Sequence, residues 1–365
     1  MITDLHESFL QLVRLGVGTE TVSSFKNPVP SAINWAQLKV LADEQGLLAI
    51  VLDGIDKLDE SISIPLQMKL EWIGEVIQSY EQRYTDYEKA LGELAGFYQK
   101  HNIKMMVLKG YGLSLNYPNP KHRPCGDIDT WNYGKQKEAD RILTRELGIP
   151  VDTSEHHHTI FLWKGYMVEN HYDFLNIFSS KSNSELELLL KELAKDDSYK
   201  VAIGAVDVYF PSPNMNALFL LRHALNHFAR AGVNLRNLLD WAFFWGKNGD
   251  KVNWVWLSEI LQKYSMMDFF HIINRICIED LGFEKTLFPE TNSRKSYLKE
   301  RVLREIISPE ADNKKAHNPR FIPRLIFKMH RWSSNSWKRQ LCYNEGQVAA
   351  FVTSVWSHLL KPNSI

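Results

Sequence analysis

Apolar positions at helical spacing run through the first hundred residues. Trp35, Leu38, Leu41 and Ala42 recur at three- and four-residue steps, and Leu47, Leu48, Val51 and Leu52 continue the stripe. Pro65 marks a helix start, after which Leu70, Ile73, Val76, Ile77, Tyr80, Tyr84, Tyr87, Leu91, Leu94 and Phe97 give one long apolar face, read as core packing. The pattern then changes. MMVLKG (105–110) is a short apolar run closed by glycine and reads as a buried strand; 111–117 fits a helical turn or two, and DIDTW (127–131) alternates like a strand. Residues 135–147 predict an exposed helix ending at Gly148, and 158–174 two strands turned at Lys164-Gly165. A helix is expected over 184–194 and a single strand over 201–210, closed by Pro211 and Pro213. Helical period returns from 214. Leu218, Leu221, Leu225 and Phe228 share a face, Leu235, Leu238, Leu239, Ala242 and Phe243 another, and 254–263 and 266–280 are two further helices. The chain thus reads as a helical region (1–100), a mixed centre (101–212) and a second helical region (213–365).

Composition narrows the function classes. Over 365 residues, 43 basic and 43 acidic side chains cancel, which argues against coating a nucleic acid through bulk charge. A 44% hydrophobic and 24% charged chain is an ordinary globular one. Cys125, Cys277 and Cys342 are too scattered for a disulfide framework or a thiolate zinc site, as in a reducing compartment. Asp4 and Glu7 interrupt the first turn, unlike a leader, and no apolar run approaches the roughly 18 residues of a membrane span. A cytoplasmic, membrane-free protein is expected.

Chemistry concentrates in Arg123-Pro124-Cys125-Gly126-Asp127-Ile128-Asp129. On a strand Asp127 and Asp129 project to one face with Ile128 turned to the core. Two carboxylates so close repel unless a cation lies between them, and hard oxygen donors suit Mg²⁺. Gly126 lets a phosphate approach the backbone, and Arg123 offers a bidentate partner for it. VENHYDF provides Glu169 and His171 with the same two-residue spacing; were that strand beside the first, Glu169 would complete a three-carboxylate cluster. Asp129→Asn is therefore expected to fold normally, relieved of repulsion, and to be inactive.

Other polar sets read more blandly. His156-His157-His158 are consecutive, so a strand cannot turn all three to one ion, and they read as surface or pocket wall. His223 and His227 share a helix face, as do Arg236 and Asp240, whose spacing suits an ion pair. This set either ties two helices together or lines a cleft opposite the carboxylates, where Arg236 would contact nucleotide. From Asn313 to Asn344, Lys314, Lys315, Arg320, Arg324, Lys328, Arg331, Lys338 and Arg339 occur without an acidic residue and with Phe327, Trp332 and Trp337 among them. That stretch reads as a solvated helical surface, or as a site for RNA, polyphosphate or an acidic partner.

The segment KMMVLKGYGLSLNYPNPKHRPCGDIDT (104–130) resembles the LKG…YP…R…GDIDL pattern of the uncharacterised nucleotidyltransferase family, within the DNA polymerase β-like nucleotidyltransferase superfamily. VENHYDF is similar to that family's acidic-His strand. LFLLRHALNHFARAGVNLRNLLDWAFF is similar to its later helices, and WAQLKVLADEQGLLAIV to its N-terminal region; the likeness covers about residues 30–260. It implies an α+β fold, a small mixed sheet with flanking helices, and transfer of a nucleoside monophosphate from a triphosphate, ATP among the candidates. The acceptor would be a hydroxyl of a small molecule, protein or RNA. Carried over by position, Asp127 and Asp129 match the metal-binding pair and Glu169 the third acidic position, with Mg²⁺ the expected ion and Mn²⁺ its alternative. Glu169 would also accept the hydroxyl's proton; His171, grouped with the nucleotide-binding residues, would orient it or shuttle the proton, or else is a hydrogen-bonded core histidine. Lys109, Gly110, Arg123 and Gly126 would surround the triphosphate. Three positions depart from the pattern. Tyr111 follows Gly110 where the superfamily has Ser, leaving Lys109 or Ser114 to substitute; Thr130 follows the aspartates in place of an apolar residue; Asn170 stands where Leu is usual. A non-catalytic nucleotide-binding module and a metal-dependent phosphate hydrolase are the competing readings. The acceptor, the preferred base and the oligomeric state carry no signal in the sequence.

Overall fold

The computed structural model describes residues 3–21, 23, 33–58, 62, 64–155, 157–177, 180–230, 232–308 and 335–343. Helices α1 (Asp4–Val17), α2 (Trp35–Glu44), α3 (Leu48–Ile55), α4 (Leu66–Val76) and α5 (Arg83–Lys100) come first, α4 and α5 being joined by a π-helical stretch, Ile77–Gln82. The centre runs β1 (Met106–Val107), α6 (Tyr111–Ser114), β2 (Ile128–Trp131), α7 (Gln136–Leu147), β3 (His158–Trp163), β4 (Tyr166–His171), α8 (Lys181–Leu193), β5 (Lys200–Ile203) and β6 (Val206–Tyr209). Then follow α9 (Pro213–Arg230), α10 (Leu235–Asn248), α11 (Trp254–Lys263), α12 (Met267–Glu279), α13 (Lys299–Ile307) and α14 (Ser336–Tyr343). The fold is α+β, as expected. No helix among the described residues is long and apolar enough to cross a membrane.

The chain forms two compact units. One draws on Met1–Trp72, Leu220–Gly249 and Asn253–Gln347; the body of the other is Ile73–Phe219. In the first, α1 meets α3 at backbone distance. A Cβ on Gly16 would lie 2.0 Å from the Ile50 carbonyl oxygen, and one on Gly54 2.1 Å from that of Leu12, so only glycine permits the crossing. Asn34 starts α2 by accepting the Gln37 N–H on its side chain, and at the start of α10 the Asn237 side chain accepts the Asn234 N–H. Gln45 bridges three pieces of this unit: its amide nitrogen donates to the Ile306 and Ile307 carbonyls, and its oxygen accepts the Leu235 N–H. Of the basic stretch after Asn313, Lys314, Lys315, Arg320, Arg324, Lys328 and Arg331, with Phe327 and Trp332, lie outside the described residues. Lys338 is not on a solvated surface. It is 2% exposed and ion-paired with buried Glu305, and Trp337 packs on Phe228 beneath the Arg301 guanidinium. An amphipathic helix buries one face whatever its net charge, and Lys338 falls on that face.

The second unit holds a mixed six-stranded sheet in the order β3-β4-β2-β1-β6-β5. β2 runs parallel to β4 and β1 parallel to β6; the other pairs are antiparallel. Lys164 and Gly165 both have positive φ, as a two-residue type I′ turn between β3 and β4 requires. The single strand expected over 201–210 is instead a hairpin, β5–β6, turned at Gly204 with φ +62°. One sheet face is apolar: Ile128, Phe161 and Val168 pack with Tyr84, Tyr87, Leu91 and Leu94 of α5 and with Ala139, Ile142 and Leu143 of α7. Period-two alternation therefore turns Asp129, Glu169, His158 and His171 to the opposite face.

Candidate active site

Strand register assembles the site. In the parallel pair, Asp129 lies opposite Glu169 and Trp131 opposite His171; in the antiparallel pair, His171 lies opposite His158. Residues that face one another on one side of a sheet have neighbouring side chains. Glu169 thus stands beside Asp129, as the matching two-residue spacing allowed.

Asp129 is buried and doubly engaged. Lys109 Nζ, just past β1, lies 2.9 Å from its Oδ1, and His171 Nε2 lies 3.2 Å from the same oxygen. His171 Nε2 also lies 3.4 Å from Glu169 Oε2, while its Nδ1 donates to the Asp173 carbonyl at 3.2 Å. Both ring nitrogens therefore donate, which requires the imidazolium. Burial alone would lower the His171 pKa; the Asp129 and Glu169 carboxylates outweigh it and push it up to about 9. Burial alone would raise Asp129; Lys109 and His171 reverse that and hold it well below the usual carboxylate range. Neighbouring cations, not repulsion, dominate at Asp129. The repulsion invoked for expecting Asp129→Asn to fold normally is thus outweighed by these cations.

Asp127 behaves oppositely. It is exposed and lies just ahead of β2 rather than in it. Its carboxyl is pushed up, first by burial of part of its surroundings and then by the Glu169 and Asp129 charges. Among the described residues, Asp129, Glu169 and His171 form one set of possible metal ligands with donor atoms within 4.8 Å of one another, and Asp127 is not in it.

The loop before β2 is fastened from α5. Tyr87 Oη donates to the Asp127 carbonyl at 3.0 Å, and Arg83, one turn earlier, donates through Nε to the Cys125 carbonyl at 3.3 Å. Arg83 also lends positive charge to the surroundings of Asp127. The sequence reading missed Arg83, since nothing in a helical stripe announces a polar tie at its edge. Gly110 has φ +51°, and a Cβ there would meet Tyr87 Oη at 2.9 Å, so the packing itself demands glycine. Gly126 differs: a Cβ there would meet nothing within 4 Å, so the fold does not require it. Arg123 is buried, with Nη1 donating to the Pro124 carbonyl at 2.9 Å. Ser114 is fully buried; its hydroxyl donates to the Tyr111 carbonyl and lies 3.0 Å from Tyr84 Oη, which leaves Lys109 as the nearer substitute for the missing serine.

The histidine run is partly corrected. His156 lies outside the described residues, but His157, His158 and His171 converge, with donor atoms within 4.8 Å of one another. His157 precedes β3, so strand alternation does not govern it. His223 and His227 belong to the other unit, where their Nε2 atoms lie 3.1 Å apart on α9. Arg236 is in that unit too. Arg236 lies along Gly46, and its Nε has no hydrogen-bond partner among the described residues.

Residues 31–281 match the family of uncharacterised nucleotidyltransferases, and the chain belongs to that family. No curated protein and no solved structure matches it.

Proposed function

We propose that Asp127, Asp129 and Glu169 hold Mg²⁺, or Mn²⁺ in its place, and that the site moves a nucleoside monophosphate from a nucleoside triphosphate to a hydroxyl acceptor. One observation carries this reading: parallel pairing of β2 with β4 sets Asp129 beside Glu169, with Asp127 at the strand entrance under the charge of both. The donor set fits a hard divalent cation, since the Asp129 and Glu169 carboxylates converge and Asp127, at the strand entrance, is raised by the charge of both. Such an ion, when bound, supplies positive charge to phosphate oxygens and acidifies a nearby hydroxyl.

The chain's own groups supply the rest. Lys109, the cation nearest Asp129, holds triphosphate oxygens, with Arg83 beside the Asp127 loop as a second positive group. Gly126 leaves room for a phosphate against the backbone, and Arg123 braces that loop from within. His171, fixed by the Asp173 carbonyl, orients Asp129 and Glu169 through Nε2. Glu169 Oε1, the oxygen that His171 does not engage, accepts the proton of the attacking hydroxyl.

The test is incubation with labelled ATP, GTP, CTP or UTP, Mg²⁺ and cell extract. Transfer of label to an acceptor with release of pyrophosphate, lost in Asp127→Asn, is the expected result. Phosphate release without transferred label would make the site a hydrolase. A melting temperature that no Mg²⁺–triphosphate raises would remove the nucleotide from the reading altogether.

A further inference from the structure

The convergence of His157, His158 and His171 is not used by nucleotidyl transfer. Each buried imidazole nitrogen needs a partner, which an ion can supply. His158 is 6% exposed, and its Nδ1 has no hydrogen-bond partner among the described residues. Its Nε2 lies 3.9 Å from Glu169 Oε1. The rings lie close, edge-on or tilted to one another: His157 and His158 centroids are 4.4 Å apart, His158 and His171 5.1 Å, and His157 and His171 5.6 Å.

The backbone holds the three together. β3 and β4 pair His158 with His171 directly. The His157 carbonyl accepts the N–H groups of Tyr172 and Asp173, tying it to the end of β4. The Asp173 carbonyl in turn fixes His171 through Nδ1, and its Nε2, which donates to Asp129 Oδ1 and Glu169 Oε2, would give up that proton on binding an ion. A set of donors anchored this way needs little reorganisation to close on an ion. Metal–nitrogen bonds of about 2.0–2.1 Å in tetrahedral geometry put ligand atoms roughly 3.4 Å apart. The present spacing, within 4.8 Å, is closed by modest side-chain rotation.

We propose that His157, His158 and His171 form a second cation site, selective for a borderline transition-metal ion of the Zn²⁺ and Co²⁺ class. Imidazole nitrogens suit such ions, whereas Mg²⁺ takes oxygen donors and keeps its waters. The site shares His171 with the carboxylate cluster but does not depend on nucleotidyl transfer, because the β3–β4 register and the backbone bonds of His157 to the end of β4 set its ligands.

Co²⁺ is the probe, added to the full-length protein in excess Mg²⁺ so that the carboxylate site is saturated. Binding of one Co²⁺ with the intensified visible absorption of a nitrogen-ligated, low-symmetry ion is expected. Affinity should fall at least about 10-fold in both His157→Ala and His158→Gln, and stay unchanged in Asp127→Asn. His157 is the less buried of the two, so His157→Ala keeps the test decisive should the His158 variant fold poorly by circular dichroism. Co²⁺ binding that Mg²⁺ abolishes, or that falls in Asp127→Asn and not in the histidine variants, would assign the ion to the carboxylates and overturn the proposal. Co²⁺ binding intact in a protein that binds no Mg²⁺–triphosphate would leave this site standing and refute nucleotidyl transfer instead.

Discussion

Two aspartates two residues apart carry opposite electrostatics, and that difference can be tested. Asp127 is exposed and repelled by Glu169 and Asp129; Asp129 is buried and held by Lys109 and His171. Asp127→Asn should leave the metal-free protein as stable as wild type or slightly more so. Asp129→Asn leaves buried His171 and half-buried Lys109 short of a carboxylate and should destabilise the metal-free protein by about 2–3 kcal/mol. Both should abolish transfer. Urea denaturation in chelator measures the stabilities, and equal losses would show that the two positions share one environment. The two glycines of the site divide similarly. Gly110→Ala forces a left-handed φ and meets Tyr87 Oη, which should cost about 2–3 kcal/mol. Gly126→Ala should stay within about 0.5 kcal/mol of wild type while weakening Mg²⁺–triphosphate binding. Thermal shift with and without triphosphate reads both effects, and undisturbed binding in Gly126→Ala would remove the phosphate from that loop.

At the scale of elements, periodicity identified which side of a strand each residue takes but not which strand lies beside it. Glu169 and Asp129 are forty residues apart, and alternation could not choose their parallel pairing. The two departures from the family pattern, Thr130 and Asn170, prove to be opposite one another in that pairing, with Thr159 next in the row. They face away from the carboxylates. Asn170 and Thr159 donate to Asp140 of α7 at 2.7 and 2.9 Å, so a polar row replaces apolar packing under that helix. Read one strand at a time, Thr130 and Asn170 look like blemishes; paired, Asn170 joins Thr159 in seating Asp140, and the Thr130 hydroxyl donates to the Glu169 carbonyl. Burial pushes the Asp140 carboxyl up, against the pull of those two hydrogen bonds. A raised carboxyl means the folded protein binds that proton more tightly than the unfolded chain, so stability is gained as pH falls through the folded value. Asp140→Asn removes this response. The melting temperature of the variant relative to wild type should therefore be highest near neutrality and decline into the carboxyl range. A relative melting temperature that instead rises on acidification would mean that the hydrogen bonds outweigh burial. The hairpin at Gly204 and the tie from Arg83 were hidden for a related reason: a short turn and a single polar contact leave no periodic trace.

For the molecule as a whole, the equal count of acids and bases conceals local imbalance. The carboxylate face is offset by Lys109 and His171 within one unit, while Lys338 and Glu305 cancel inside the other. Neutrality of the chain thus says little about what either unit binds. The three cysteines allow the units to be followed separately. Cys125 is 6% exposed and lies two residues before Asp127, whereas Cys277 of α12 and Cys342 of α14 are fully buried in the other unit. Burial pushes the thiols of Cys277 and Cys342 far up, so neither forms thiolate at neutral pH. None of the three should react with a thiol reagent in the native protein. α12 and α14 pack together, so Cys277 and Cys342 should become reactive at the same urea concentration. Cys125 should follow the unfolding of its own sheet. A ligand bound only to the native site adds RT ln(1 + [L]/Kd), about 2.7 kcal/mol at a hundredfold excess over Kd. Mg²⁺–triphosphate should therefore move Cys125 labelling to higher urea by that amount. Mass spectrometry of the labelled peptides resolves each thiol, and a Cys125 midpoint indifferent to Mg²⁺–triphosphate would place nucleotide binding away from the Asp127–Asp129 loop.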